Sequence, residues 1–575
     1  MRPFNEQFTL RGIIIGIVGC VVITASSVYV ALKLGALPWP IFFAVLFALF
    51  ALKLFGLFGK KANINEANVS ATVMTAGAMV AGGLAFTIPG IYMLMPNADV
   101  PLWTIILCAL CGVTLGWIGT ALFRKYFIED SKLPYVVGTG AAETLEAGDS
   151  GGHKATLLFG GLGFSAFFAV VRDWFGAIPQ TIFGGLKLPG VAQGGISFGV
   201  WCSPMALALG FMIPPLAALV WFIGALIGDF GVVAGGSATG LWDVVTGQGI
   251  KMSLGIGVMI GCGIGIVIKI VLPKIVPLAK SLLAGKGSAS NTGGVTNKDA
   301  SKASKNDSKA PEGTGSMVRM RWAPFVVAAL ALVMAFVLNW GLLAALIVVV
   351  LVWVVMTMSA QSTGQAGLNP MEVFGLIVLL VVALVTQIGG VEAFLVAATV
   401  TVCCGFVGDL MNDFKAGQIL KTNPRAQWIG EGIGGIIGAV VAAGVVVLLV
   451  SAYGPESFGP GNAFVAPQAA AVSALVGGIP NLPAFVVGLL VGVGLYLLGA
   501  PVITLGLGIY LPFHLSLTIA LGALIRFIVK LIAPAWSKSE NPLVLASGLL
   551  AGESIAGIII ALITVVGGLV AVAGI

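Results

Sequence analysis

LRGIIIGIVGCVVITASSVYVAL, Leu10 to Leu32, is a continuous apolar run whose one charge, Arg11, stands near its start. A helix needs roughly 20 apolar residues to cross a bilayer core, and this run supplies them. In lipid no water satisfies backbone N–H and C=O groups, so a span must be a helix or part of a closed barrel. The run lacks the apolar/polar alternation of a barrel strand, which leaves the helix. Comparable runs follow at Leu37 to Gly59, Val69 to Leu94 and Leu102 to Phe123, and more continue to Ile575. The 575 residues are 58% hydrophobic and 9% charged, with a mean hydropathy of +1.08. That composition excludes a soluble chain of several domains. The expected fold is all-α, a polytopic integral membrane protein.

Glycine accounts for 81 residues, a burden in soluble helices but an advantage in membrane bundles, where small residues let helices approach closely. The seven cysteines lie mostly inside apolar runs, which favours buried thiols over a disulfide framework. Cys108 and Cys111 have metal-type spacing but no His or carboxylate beside them in sequence. The first run has no small-residue cleavage site of a signal peptide and reads as a retained helix. The net charge of +7 reflects basic residues in loops, not a nucleic-acid partner.

From Ala284 to Arg321 the composition turns to Ser, Lys, Gly and Asn, the mark of a flexible linker. It divides the chain into an N-terminal part, 1–283, and a C-terminal part, 322–575. Its basic excess, together with Lys60-Lys61 and Arg124-Lys125, places the N-terminus and the linker in the cytoplasm under the positive-inside rule, while MPNADVP between the third and fourth spans has no Lys or Arg. The two parts resemble one another. The stretch from Ser203 to Phe230 aligns with Ala500 to Phe527, NEANV at Asn65 with NPMEV at Asn369, and RKYFIEDSKLP at Arg124 with NDFKAGQILKTNP at Asn412. Duplicated halves are a common plan for secondary transporters, with substrate bound between the repeats.

Three apolar segments are interrupted by Pro or Gly beside polar residues: Leu133 to Asp149, Ser203 to Pro215 and Leu505 to His514. Such breaks free backbone groups, which survive at membrane depth only where protein or water covers them. Ionisable residues in or beside the spans are sharper markers, because a charge at the bilayer centre costs at least ~2.5–3.5 kcal/mol. They are Glu66, Glu143, Glu146, Asp229, Glu372, Asp409, Asp413, Glu431 and Glu553. A desolvated carboxylate can exchange a proton near neutral pH. Glu66 and Glu372 equally suit favourable positions at helix N-termini. The chain has no GxxxxGKS/T phosphate loop. Its two histidines, His153 and His514, suggest neither a metal site nor a nucleophilic triad.

The order of SSVYVALKLGA, NINEANVSATVMTAGAMVAGG, LPYVVGTGAAETLEAGD, GIKMSLGIGVMIGCGIG, GLNPMEVFG, GDLMNDFKAGQILKTNPRAQ, VAPQAA, GLGIYLPFHLSL and ASGLLAGESIAG resembles the oligopeptide transporter (OPT) superfamily. Within it the chain is most similar to the prokaryotic branch, related to yellow-stripe-like carriers. The NPGPFNxKEH motif of the fungal and plant peptide branch is missing. The resemblance implies about 16 transmembrane helices built by duplication, a proton-driven importer in the cell (inner) membrane, no cofactor and no enzymatic activity. It implies a small peptide, a glutathione-like compound or a metal chelate as substrate. It also implies a substrate or proton pathway role for Glu66, Glu143, Glu372, Asp409, Asp413, Lys415, Tyr510 and Glu553, with no metal ligand among them. Lys415 or Lys251 would attract a substrate carboxylate. Three other readings stay open: uptake of metal-chelate (siderophore-like) complexes, a passive channel, and a membrane enzyme in which Asp409 and Asp413 hold Mg²⁺ against a diphosphate. The oligomeric state also stays open, a homo-oligomer included.

Overall fold

The structure, a computed structural model, describes residues 3–34, 40–56, 63–150, 152–183, 198–266, 268–269, 320–459, 464, 466–476, 481–539 and 541–573. Apart from Met320 and Arg321, the linker lies outside the described residues, as do Lys60 and Lys61.

Apart from four short α-helices, four π-helical segments and one 3-10 turn, the described chain forms α1 (Leu10–Leu34), α2 (Pro40–Gly56), α3 (Ile64–Ala85), α4 (Leu102–Arg124), α5 (Val136–Ser150), α6 (Gly152–Ala169), α7 (Pro204–Met212), α8 (Pro215–Ala225) and α9 (Val244–Ile266). After the linker come α10 (Ala323–Leu332), α11 (Leu342–Ala366), α12 (Met371–Thr386), α13 (Gly390–Leu420) and α14 (Pro424–Tyr453). The chain closes with α15 (Pro467–Val476), α16 (Leu482–Leu497), α17 (Val502–Tyr510), α18 (Phe513–Ile532) and α19 (Asn541–Ala573). Ten of the described helical segments are long and apolar enough to cross a membrane, and four shorter helices are predominantly apolar. The strands are β1 (Thr181–Ile182) and β2 (Val200–Trp201), antiparallel with Thr181 opposite Trp201. The fold is all-α and polytopic.

Two of the three expected interruptions are real breaks. α7 ends at Met212, Ile213 turns extended (φ −61°, ψ 143°) and Pro214 leads into α8. α17 ends at Tyr510, Leu511 turns extended (φ −74°, ψ 158°) and Pro512 leads into α18. Proline cannot donate to a helix hydrogen bond and disfavours helical backbone before it, so the chain breaks at the same point in each pair. The third break falls earlier than expected. α5 runs unbroken from Val136 through Gly138 and Gly140, and the irregular backbone precedes it, with positive φ at Lys132 and Tyr135. Gly138 serves packing rather than unwinding: a Cβ there would overlap the Asn412 carbonyl on α13.

The interrupted pairs are interchanged in space, α7 against α18 and α8 against α17. The contacts are backbone to backbone, since a Cβ at Gly210 would overlap the Ile519 carbonyl and one at Gly522 the Leu207 carbonyl. α9 lies on α16 and α6 on α19, again through glycines at close carbonyl contacts. Lipid provides no hydrophobic drive between helices, so close packing and polar contacts must hold them. The outward faces stay apolar, as Leu490, Phe527 and Leu531 show.

Candidate functional site

Three buried polar clusters among the described residues bear on function. At the first, β2 delivers Cys202 and Ser203 to the start of α7, where the Ser203 side chain accepts the Ala206 N–H and caps the half-helix. Glu553 on α19 reaches the same end. Its carboxylate accepts bonds from Ser203 Oγ at 2.9 Å and from the Met205 N–H at 2.9 Å. Arg172, in the last, π-helical turn that continues α6, closes the cluster. Its Nη1 lies 2.7 Å from Glu553 Oε1, and it also donates to the Cys202 carbonyl and bidentately to Asp173 at 2.7 Å. Glu553 is 4% and Arg172 7% exposed. A negative charge at a helix N-terminus meets unpaired N–H groups and the positive end of the helix dipole. The arrangement holds the start of α7 through one carboxylate.

The second cluster lies at the other break. Lys251 on α9 donates to Asp229 Oδ1 at 2.8 Å and to the Leu511 carbonyl at 3.2 Å. Its charge is thus matched by Asp229 and spent on the backbone freed at the end of α17. Opposite, Arg526 on α18 donates to the carbonyls of Phe211, Met212 and Ile213 at 3.2–3.3 Å. Each broken C-terminus is therefore held by a cation, as the negative end of the helix dipole favours. Tyr510 is the last residue of α17 at this break, and Glu372 is buried in the first turn of α12.

The third cluster forms where α13 turns into α14. Lys421 caps α13 in the left-handed region (φ 60°), and the Asn423 side chain accepts the Arg425 N–H ahead of Pro424. Thr422 in that turn donates to Asn65 and accepts from Asn68, both on α3. Beyond the locked turn, Asp409, Asp413 and Glu431 come together, each offering an oxygen within 4.8 Å of the others. They are 6%, 1% and 0% exposed. Thr75 on α3 donates to Asp413 Oδ2 at 3.1 Å. Trp117 and Trp428 stack at 3.9 Å, and each indole N–H donates to the other's carbonyl, which pins α14 to α4 one turn before Glu431.

The remaining expected residues are placed differently. Glu66 is buried in an ion pair with Arg11 at 2.7 Å and also accepts from Thr9. Glu143 is half-buried on α5. Lys415 on α13 donates to Gln418 at 3.2 Å. All seven cysteines are buried free thiols. The expected residues missed Arg172, Ser203, Arg526 and, as a partner of the aspartates, Glu431. The last was within reach of counting: Asp413 lies 7 residues before the end of α13 and Glu431 7 after the start of α14, so an antiparallel hairpin puts both ~10 Å from the turn.

These features define a multi-pass helical membrane protein with ion-held broken helices in its interior. Residues 7–564 match the family described as OPT oligopeptide transporter protein. The chain belongs to that family. A Haemophilus influenzae protein named "Putative oligopeptide transporter" is 26% identical over 527 residues, 83% of this chain and 79% of the relative.

Proposed function

We propose that the protein is a proton-coupled secondary transporter that imports small oligopeptides or peptide-like compounds across the cell membrane, with substrate bound between two duplicated halves. Family membership and the relative's name support peptide transport. The observation that carries the coupling is Glu553, a buried carboxylate shared by Arg172 and the N-terminus of a broken helix. Broken helices of this kind bind substrate in secondary transporters. A proton on Glu553 cancels the charge that Arg172 and the start of α7 share, and so releases the Nη1 edge of the guanidinium and the Met205 N–H while Asp173 keeps its own contact with Arg172. These are the groups that bind a peptide carboxylate. Tyr510 and the backbone at the second break supply further polar contacts. Lys251 and Arg526 hold the break ends rather than substrate. The N-terminus and linker face the cytoplasm in this reading, and the chain performs no covalent chemistry.

The test is Glu553→Gln in proteoliposomes. Proton-driven accumulation of peptide should be lost while exchange of peptide across the membrane persists. Accumulation equal to wild type would remove Glu553 from the coupling. A ferric chelate accumulated in place of every peptide would shift the reading to metal-chelate uptake.

A further inference from the structure

We propose that Asp409, Asp413 and Glu431 form a binding site for a hard divalent cation of the calcium or manganese kind, held between α13 and α14. The inference stands apart from the transport reading, which places the coupling proton on Glu553.

Three observations carry it. First, Asp409 Oδ2, Asp413 Oδ1 and both oxygens of Glu431 are buried and accept no hydrogen bond from the described residues, and no described Lys or Arg pairs with the three residues. Three carboxylates cannot stand in such a place without counter-charge. Second, their spacing suits a shared ion. Oxygens that ligate one calcium at ~2.3–2.6 Å lie no more than ~5 Å apart, and here an oxygen of each residue lies within 4.8 Å of the others. Third, the frame is built to hold them. Asp409 and Asp413 are one turn apart on α13, the stacked Trp117–Trp428 pair pins α14 to α4 one turn before Glu431, and Thr75 donates to Asp413.

An all-carboxylate donor set selects hard cations over zinc or copper. The nearby thiol, Cys20 on α1, is turned to Thr24 and the Gly434 carbonyl. The ion would tie α13 to α14, with α3 alongside.

The experiment titrates the full-length protein, purified in detergent at mildly alkaline pH, with Mn²⁺ followed by electron paramagnetic resonance. One equivalent per chain should bind and be displaced by Ca²⁺. Glu431→Gln, and independently Asp409→Asn, should each weaken binding at least about tenfold, in preparations shown to be monodisperse by gel filtration. Two separate variants keep the test decisive if one fails to fold. Absence of saturable Mn²⁺ binding by wild type would overturn the proposal, as would unchanged binding by folded variants. Infrared bands of protonated carboxyls that persist with metal present and vanish in the variants would show that the triad holds protons only, and would overturn it too.

Discussion

Arg172→Gln takes the cation from Glu553 and Asp173 and a donor from the Cys202 carbonyl, and leaves the bonds from Ser203 and the Met205 N–H to Glu553 in place. Glu553 is 4% exposed, with the guanidinium 2.7 Å away, so its charge would be left without a counter-ion where water does not reach. Removing one partner of a buried pair costs ~3–5 kcal/mol. Glu553→Gln is milder, because Arg172 keeps its bidentate contact with Asp173 and a glutamine can still accept from Ser203. The double variant leaves no lone charge in the pair and should be more stable than Arg172→Gln alone. Unfolding in mixed micelles, followed by tryptophan fluorescence for the four proteins of the cycle, measures the coupling. An expected ~2 kcal/mol or more between the two sites is well above the ~0.3–0.5 kcal/mol within which independent changes add. Losses that simply add would refute the claim that this pair holds α7 in place.

The packing and the second break give further expectations. Gly522→Val places side-chain atoms against the Leu207 carbonyl, so thermal stability in detergent should fall by ~1–3 kcal/mol, whereas Gly163→Ala, which meets nothing within 4 Å, should be neutral or stabilising. Lys251→Met strands Asp229 and the Leu511 carbonyl. It should destabilise strongly, and the further change Asp229→Asn should recover much of the loss in the same unfolding assay. At the exposed start of α9, Asp243 accepts the Thr246 N–H at 3.2 Å, and bonding by Thr246 holds its carboxyl below the usual range. A depressed folded value means that its contribution is present above the unfolded carboxylate range and lost as pH falls through the folded one. Hydrogen exchange at Thr246 should therefore be slow near neutral pH and speed up in acid beyond its intrinsic change, and Asp243→Ala should abolish that pH dependence.

Hydropathy placed the spans well: the run from Leu10 to Leu32 is the helix Leu10–Leu34, and the run from Leu102 to Phe123 is the helix Leu102–Arg124. Proline located the two breaks because its effect is local. Glycine misled at Gly138, where close approach to Asn412 accounts for it. The site was legible only in part. Glu553 stood out as a carboxylate in an apolar run, but its partners at 172 and 203 are joined to it by tertiary packing that no local pattern encodes. Glu66 fitted a pathway and a capped helix end equally from sequence, and the structure pairs it with Arg11, 55 residues upstream. Asp409 and Asp413 read as ionisable residues in or beside a span, and the hairpin register then adds Glu431 as their partner.

Uptake of labelled di- to hexapeptides into proteoliposomes, measured with and without an inward proton gradient, bears most directly on the transport claim. Accumulation above the external concentration only while the gradient stands is the predicted result. Equal uptake after the gradient is collapsed, or no uptake of any peptide, would contradict it.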